Sequence, residues 1–389
     1  MTDPTIEYSM FLIFSGAALL ATLALFARQA MIVAYIVLGI ILGPWGLGLV
    51  TDPVLIKDVS NIGIIFLLYL LGLDLFPQQL WSMLGKAMTT TLLSSLVFWL
   101  LGFAVGCLFG YPVRESLLLG AVLMFSSTII GVKLLPTTIL HHKHTGQIII
   151  SVLLLQDLLA IIILLLLQGY GKGGNLLLDI FRQVIALPLL LTGAWLLERF
   201  ILVRLISKFD KIHEYIFLLA IAWCLGIAEL AGVMGLSHEI GAFIAGVTLA
   251  SSPIAFFITE KLKPLRDFFL IIFFFALGAT FNMDEIDELI LPALLLALGV
   301  ILFKPLVFRF LFRLAGEAPD ISLEVGFRLG QISEFSMLIA VLAVQSGFIR
   351  VQTSYLIQLA ALLTFIISSY IIVLRYPTPI AVSDKLRRD

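Results

Sequence analysis

Charge is what this sequence has least of. Only 13% of its 389 residues are Asp, Glu, Lys or Arg, while 61% are apolar and the mean hydropathy is +1.13. A soluble globular chain carries about 25% charged residues, so a packed water-soluble domain is excluded. No dense Lys/Arg cluster is present, and a nucleic-acid partner is not expected. Cysteine is almost absent as well. Cys107 and Cys224 lie in separate apolar segments at neither disulfide nor metal-site spacing, and read as small apolar packing groups. The N-terminus, MTDPTIEYSM, lacks the basic region and small-residue cleavage site of a signal peptide, so the first apolar run is expected to be retained.

What fills the chain is a series of apolar runs long enough to be membrane helices of about 20 residues, without the alternation of a membrane barrel. Breaks at Gly, Pro and charge clusters divide it into thirteen segments, near 8–27, 31–50, 59–76, 86–110, 114–136, 145–169, 175–205, 212–232, 236–252, 264–281, 286–315, 320–347 and 353–375. The fold class expected is an all-α polytopic membrane protein with about thirteen transmembrane helices. The short connections predict one membrane domain over 1–376, a short cytoplasmic tail over 377–389 and no regulatory nucleotide-binding domain.

Thirteen crossings sort sixteen Lys and Arg onto one side and only Lys57, Arg114, Lys172 and Arg350 onto the other. Basic residues favour the cytoplasmic side. The C-terminus is therefore predicted to be cytoplasmic and the N-terminus outside. An internal echo pairs FLLYLLGLDLF (66–76) with IFFFALGATFN (272–282), matching Leu71-Gly72 to Leu277-Gly278 at an offset of 206. That offset spans seven segments, an odd number, so the two halves would cross the bilayer in opposite senses, as inverted repeats do.

Few polar residues lie deep in the segments, and each has a bland and a functional reading. Asp157, beside Gln156, interrupts the run LLLQDLLAIIILLLL in segment six. A central Asp costs roughly 2.5–3.5 kcal/mol on insertion scales and marks an ion or proton site more often than a structural one. Segment five reads MFSSTIIGVKLLP, offering Ser126, Ser127 and Thr128 beside Gly131 and Pro136; segment twelve reads GFRLGQISEFS, with Arg328, Gln331, Ser333 and Glu334. Serines alone often only let helices pack closely. Two weakened helices at matching positions of the two halves, however, point to a site at the bilayer midplane. Lys304, next to the helix-kinking Pro305, is too deep for easy snorkelling. Its expected partner is Asp157, if segments six and eleven are repeat mates. Arg328 and Glu334 read equally as structural, in a buried pair or a link to another helix, or as part of an ion path.

Other groups carry less. His141, His142 and His144 in HHKHTG read as a solvated loop, HEIGA (238–242) lacks the second histidine of a zinc-protease motif, and Asp74 and Glu229 sit near segment ends. Asp74 follows LGL and not the Gly-x-Gly of an intramembrane aspartyl protease, so an enzyme is not expected.

Taken together, the Gln-Asp pair, FSSTI, FKP, GQISEF and YIVLGIILGPWGLGLV resemble the monovalent cation:proton antiporter family 2, and its Kef-type potassium/proton branch in particular, over almost all of residues 8–375. The resemblance implies a sodium/proton-antiporter-like core of two crossed, interrupted helices and a homodimer. It further implies Asp157 as the cation- and proton-binding residue, Lys304 as the basic residue facing it and Glu334 as the acid of the second interrupted helix. Gln156 stands where electrogenic sodium-transporting relatives have a second Asp, which favours potassium over sodium. Kef proteins continue into a nucleotide-binding regulatory domain, whereas this chain ends after YPTPIAVSDKLRRD, so nucleotide or glutathione control is not expected within it, and a separately encoded cytoplasmic regulatory subunit is a candidate partner.

The expectation is a secondary transporter of a bacterial inner membrane, exchanging potassium or sodium for protons at Asp157. Its carboxylate would be neutralised in turn by a proton, a cation or Lys304, with Ser126, Ser127 and Thr128 replacing a cation's hydration. No cofactor is expected; the partners are the ions and the lipid bilayer. The alternatives are a cation channel and a non-transporting membrane sensor.

Overall fold

A computed structural model describes residues 6–50, 53–74, 86–134, 144–170, 176–209, 212–250, 252 and 255–378. The tail beyond residue 378, and His141, His142 and Pro136, lie outside these. Among the described residues every regular element is a helix. In chain order they are α1 (Ile6–Phe26), α2 (Met31–Leu42), α3 (Pro53–Asp74), α4 (Lys86–Leu108), α5 (Val113–Leu123), α6 (Thr128–Lys133), α7 (His144–Tyr170) and α8 (Leu176–Leu197). There follow α9 (Val203–Lys208), α10 (His213–Val233), α11 (His238–Ala250), α12 (Ala255–Ala279), α13 (Ile286–Leu314), α14 (Pro319–Arg328), α15 (Glu334–Gln345) and α16 (Val351–Arg375). A π-helical turn, Glu198–Leu202, joins α8 to α9. Seven of the stretches are long and apolar enough to cross a membrane. Leu, Phe and Val side chains stay exposed all along them, as expected where the surrounding solvent is lipid.

The chain forms two compact units: residues 1–17, 35–81 and 168–280 make one, and 18–34, 82–167 and 281–389 the other. In the first, two helix crossings are made through glycine. A Cβ on Gly278 of α12 would lie 2.0 Å from the Ile36 carbonyl oxygen of α2, and one on Gly39 of α2 would lie 2.0 Å from that of Phe275. The second crossing repeats the first. A Cβ on Gly72 of α3 would lie 2.4 Å from the Phe243 oxygen of α11, and one on Gly246 would lie 2.1 Å from that of Tyr69. The echo in the sequence, Gly72 with Gly278, therefore marks the points of closest backbone approach, where only small residues fit.

Such contact makes the sign of a substitution predictable. Gly278→Ala is expected to lose about 1–3 kcal/mol by overpacking, whereas Gly299→Ala, inside α13 with nothing within 4 Å of the new methyl, should gain up to about 1 kcal/mol of helix propensity. Thermal unfolding of the two purified variants in detergent checks this. Equal midpoints would refute it.

In the second unit, α5–α6 and α14–α15 are two helices each broken once, over 124–127 and 329–333. The first break precedes Gly131, which lies within α6, so the weakness read there in segment five is displaced toward the serines. Under the breaks lies an apolar cluster that includes Phe98 of α4, Ile149 and Leu153 of α7, Phe308 of α13 and Val325 of α14. Phe98 and Phe308 meet edge to face at 5.3 Å. The seven-segment offset also corrects the mates assumed for segments six and eleven. At 206 residues, segment eleven corresponds to four and segment six to thirteen. Lys304 and Phe98 are then equivalent positions, and in the structure the ammonium lies 5.2 Å from the Phe98 ring centre.

Candidate functional site

A broken helix leaves backbone groups that lipid cannot satisfy. Each break therefore begins its second half with a capping serine: Ser127 Oγ accepts from Ile130 N–H at 3.1 Å, and Ser333 Oγ accepts from Phe335 N–H at 3.0 Å. Ser127 and Ser333 are again 206 residues apart. Upstream of each cap, an N–H is taken by an uninterrupted helix. Ser126 N–H donates to Gln156 Oε1 of α7 at 2.9 Å, and Ile332 N–H donates to Thr364 Oγ1 of α16 at 3.1 Å.

The breaks also hold each other. Ser126 Oγ donates to the Leu329 carbonyl at 2.8 Å, and Ser336 Oγ returns the bond to Val122 at 2.6 Å. Gln331 Nε2 donates to the carbonyls of Arg328 at 3.0 Å and Ser127 at 3.4 Å, while its Oε1 accepts from Ser368 at 3.1 Å. Thr128 Oγ1 donates to Glu334 Oε1 across the crossing.

Lys304 sits at the centre of this exchange, 1% exposed. Its Nζ donates to the Phe125 carbonyl at 2.7 Å, the Gln331 carbonyl at 3.0 Å and Ser126 Oγ at 3.3 Å. The two carbonyls belong to equivalent positions of the two breaks, each just past the C-terminal end of a half-helix, where the helix dipole is negative. Among the ion pairs of the described residues none joins Lys304 to Asp157. These bonds, two to carbonyls of the broken backbones and one to the Ser126 hydroxyl, occupy all three donors of the ammonium.

Asp157 is 4% exposed on α7, next to Gln156 at 1%. The Gln156 amide is oriented by its bond from Ser126 N–H, which only its oxygen can accept. Its Nε2 is then left buried without a hydrogen-bond partner among the described residues. An orphaned buried donor costs about 1–3 kcal/mol, so this amide is held at the break against a real penalty. Arg328 and Glu334, the remaining pair, are separated by the second break. Arg328, fully buried, bonds Glu324 at 2.9 Å, the Leu134 carbonyl at 3.1 Å and the Pro377 carbonyl at 2.9 Å. It anchors the end of α14.

Several partners were not found by reading residue types: Thr364, Ser336, Ser368, Phe98 and Glu324. Another is Glu115 of α5, 1% exposed, which accepts from Arg350 Nε at 2.8 Å and from Thr353 Oγ1, tying α5 to the start of α16. The 206-residue offset, applied to the breaks, would have found Phe98 from Lys304 and Phe125 from Gln331.

Two crossed, interrupted helices with their freed backbone groups and buried ionisable side chains gathered at the crossing define an integral membrane protein of the secondary-transporter kind. The chain belongs to the sodium/hydrogen exchanger family, whose transmembrane model matches residues 13–374, and that family is one of transporters. Among known proteins it is 30% identical over 326 residues to potassium efflux antiporter 4 of Arabidopsis thaliana, covering 80% of this chain and 54% of that one. It is 30% identical over 366 residues to the glutathione-regulated potassium-efflux system protein KefC of Salmonella heidelberg, covering 91% and 58%. It is also 27% identical over 350 residues to the iron transporter MagA of Paramagnetospirillum magneticum, covering 88% and 79%. The chain thus spans little more than half the length of these potassium-efflux relatives. A solved sodium proton antiporter of Methanocaldococcus jannaschii shares the fold, with a TM-score of 0.70, 19% identity and coverage of 94% and 95%.

Proposed function

We propose that this protein exchanges a monovalent cation for protons by alternating access, with Asp157 as the shared site. The observation that carries the reading is a carboxylate 4% exposed on the helix whose preceding residue, Gln156, caps a broken helix. Such a group must be neutralised by a proton, a cation or Lys304, and competition between proton and cation for one site couples their fluxes. Ser126, Ser127 and Thr128, with freed carbonyls of both breaks, are the oxygens available to a dehydrated cation. Gln156 in place of a second acid, and the potassium-efflux relatives, favour potassium over sodium. If Lys304 keeps its charge throughout, one proton exchanges for one cation; if it also titrates, the cycle carries net charge. The protein works as a homodimer in a bacterial inner membrane, N-terminus outside and C-terminus cytoplasmic. No cofactor takes part.

The test is purified protein in liposomes carrying a preset acid gradient and a pH-sensitive dye. Potassium pulses are expected to dissipate the gradient with saturation, rubidium nearly as well and sodium less. Cation current without proton movement would identify a channel, and no flux with any of the three salts would identify a sensor.

A further inference from the structure

Helix α13 has two unlike faces. Lys304, Phe308 and Phe312 are buried, while Leu302, Phe303, Leu306, Phe310 and Leu314 are 51–70% exposed and face outward. Near the C-terminal end of that outward face stand Arg309 and Arg313, one helical turn apart. With Leu306, Phe310 and Leu314 they line a surface concavity of about 410 Å³.

Elsewhere in this unit Arg328 holds Glu324 and two carbonyls, and Arg350 holds Glu115. Arg309 and Arg313 make no ion pair with any described residue. Like charges one turn apart repel each other, so nothing inside the unit accounts for their spacing. An anion between them would.

We propose that Arg309 and Arg313 bind the phosphate of an anionic phospholipid headgroup, whose acyl chains run along Leu302, Phe303, Leu306 and Phe310. Two planar guanidinium forks match phosphate oxygens in bidentate fashion. The floor between them is apolar, which suits an amphiphile and not a hydrated free anion. A basic pocket at the end of a membrane helix is also where anionic headgroups accumulate. The inference depends on the chain being embedded in a membrane, not on the exchange cycle, and its test reads binding alone.

Full-length protein in detergent is titrated with phosphatidylglycerol or with phosphatidylcholine of the same chains, and bound lipid is counted by native mass spectrometry. At about 1 kcal/mol per basic residue, two arginines predict roughly a 30-fold preference for the anionic lipid. The Arg309→Gln/Arg313→Gln variant should lose it, and Arg309→Lys/Arg313→Lys should keep only part. Should the double variant fold poorly, Arg309→Gln alone is expected to lose about half of the preference on a logarithmic scale. Millimolar inorganic phosphate should leave the preference intact. Equal retention of the two lipids by the wild type, or of phosphatidylglycerol by wild type and Gln variants, would overturn the proposal; displacement by inorganic phosphate would overturn the lipid assignment.

Discussion

Asp157→Asn is expected to reduce cation-driven proton flux to the level of protein-free liposomes while leaving the protein as stable as the wild type, or more so. The amide has nearly the volume of the carboxylate, so packing on α7 is unchanged. What is lost is the charge, and with it the affinity for a proton or a cation. What is relieved is the desolvation of an ion at membrane depth, roughly 2.5–3.5 kcal/mol on insertion scales. Activity and stability should therefore move in opposite directions. A structural acid gives the contrary result, because removing a buried charge from a structural pair leaves its partner uncompensated at a cost of about 3–5 kcal/mol. Liposome flux and thermal unfolding of the same preparation decide between them. Retained flux would remove Asp157 from the mechanism, and a large loss of stability would make it a strut.

Much of this arrangement was legible in residue types. Both interrupted segments, the acid in segment six and the lysine in segment eleven stand out because charge and hydroxyls are rare in so apolar a chain. The Gly72–Gly278 echo was also visible, and it falls where helix backbones meet within about 2 Å of any added methyl. What could not be read was the partner of Lys304. Acids announce themselves by type, so Asp157 was the apparent mate. A carbonyl belongs to every residue and becomes an available acceptor only where a helix stops, which depends on tertiary contacts such as Gln156 with Ser126. For the same reason Thr364 and Ser336 looked like ordinary packing residues. Arg328 with Glu324 differs: an i,i+4 pair on one helix follows from spacing alone, and it was missed only because Glu334 was considered as the partner instead.

The backbone attachment of Lys304 yields the second large effect, on stability. Lys304→Met keeps most of the side chain's volume but strands the carbonyls of Phe125 and Gln331, both in the buried centre of the crossing. Each orphaned acceptor costs about 1–3 kcal/mol. Loss of the ammonium recovers part of that through relieved desolvation, and the balance is a net destabilisation of about 2–4 kcal/mol. Lys304→Gln retains a donor for one carbonyl and should fall between Met and wild type in unfolding temperature. The decisive comparison is in the Asp157→Asn background. If Lys304 served chiefly to neutralise Asp157, an Asn there would make the lysine dispensable, and Lys304→Met would become neutral or stabilising. Held as it is between the two broken helices, the lysine should be missed just as much when the acid is gone, because the groups it satisfies are still there.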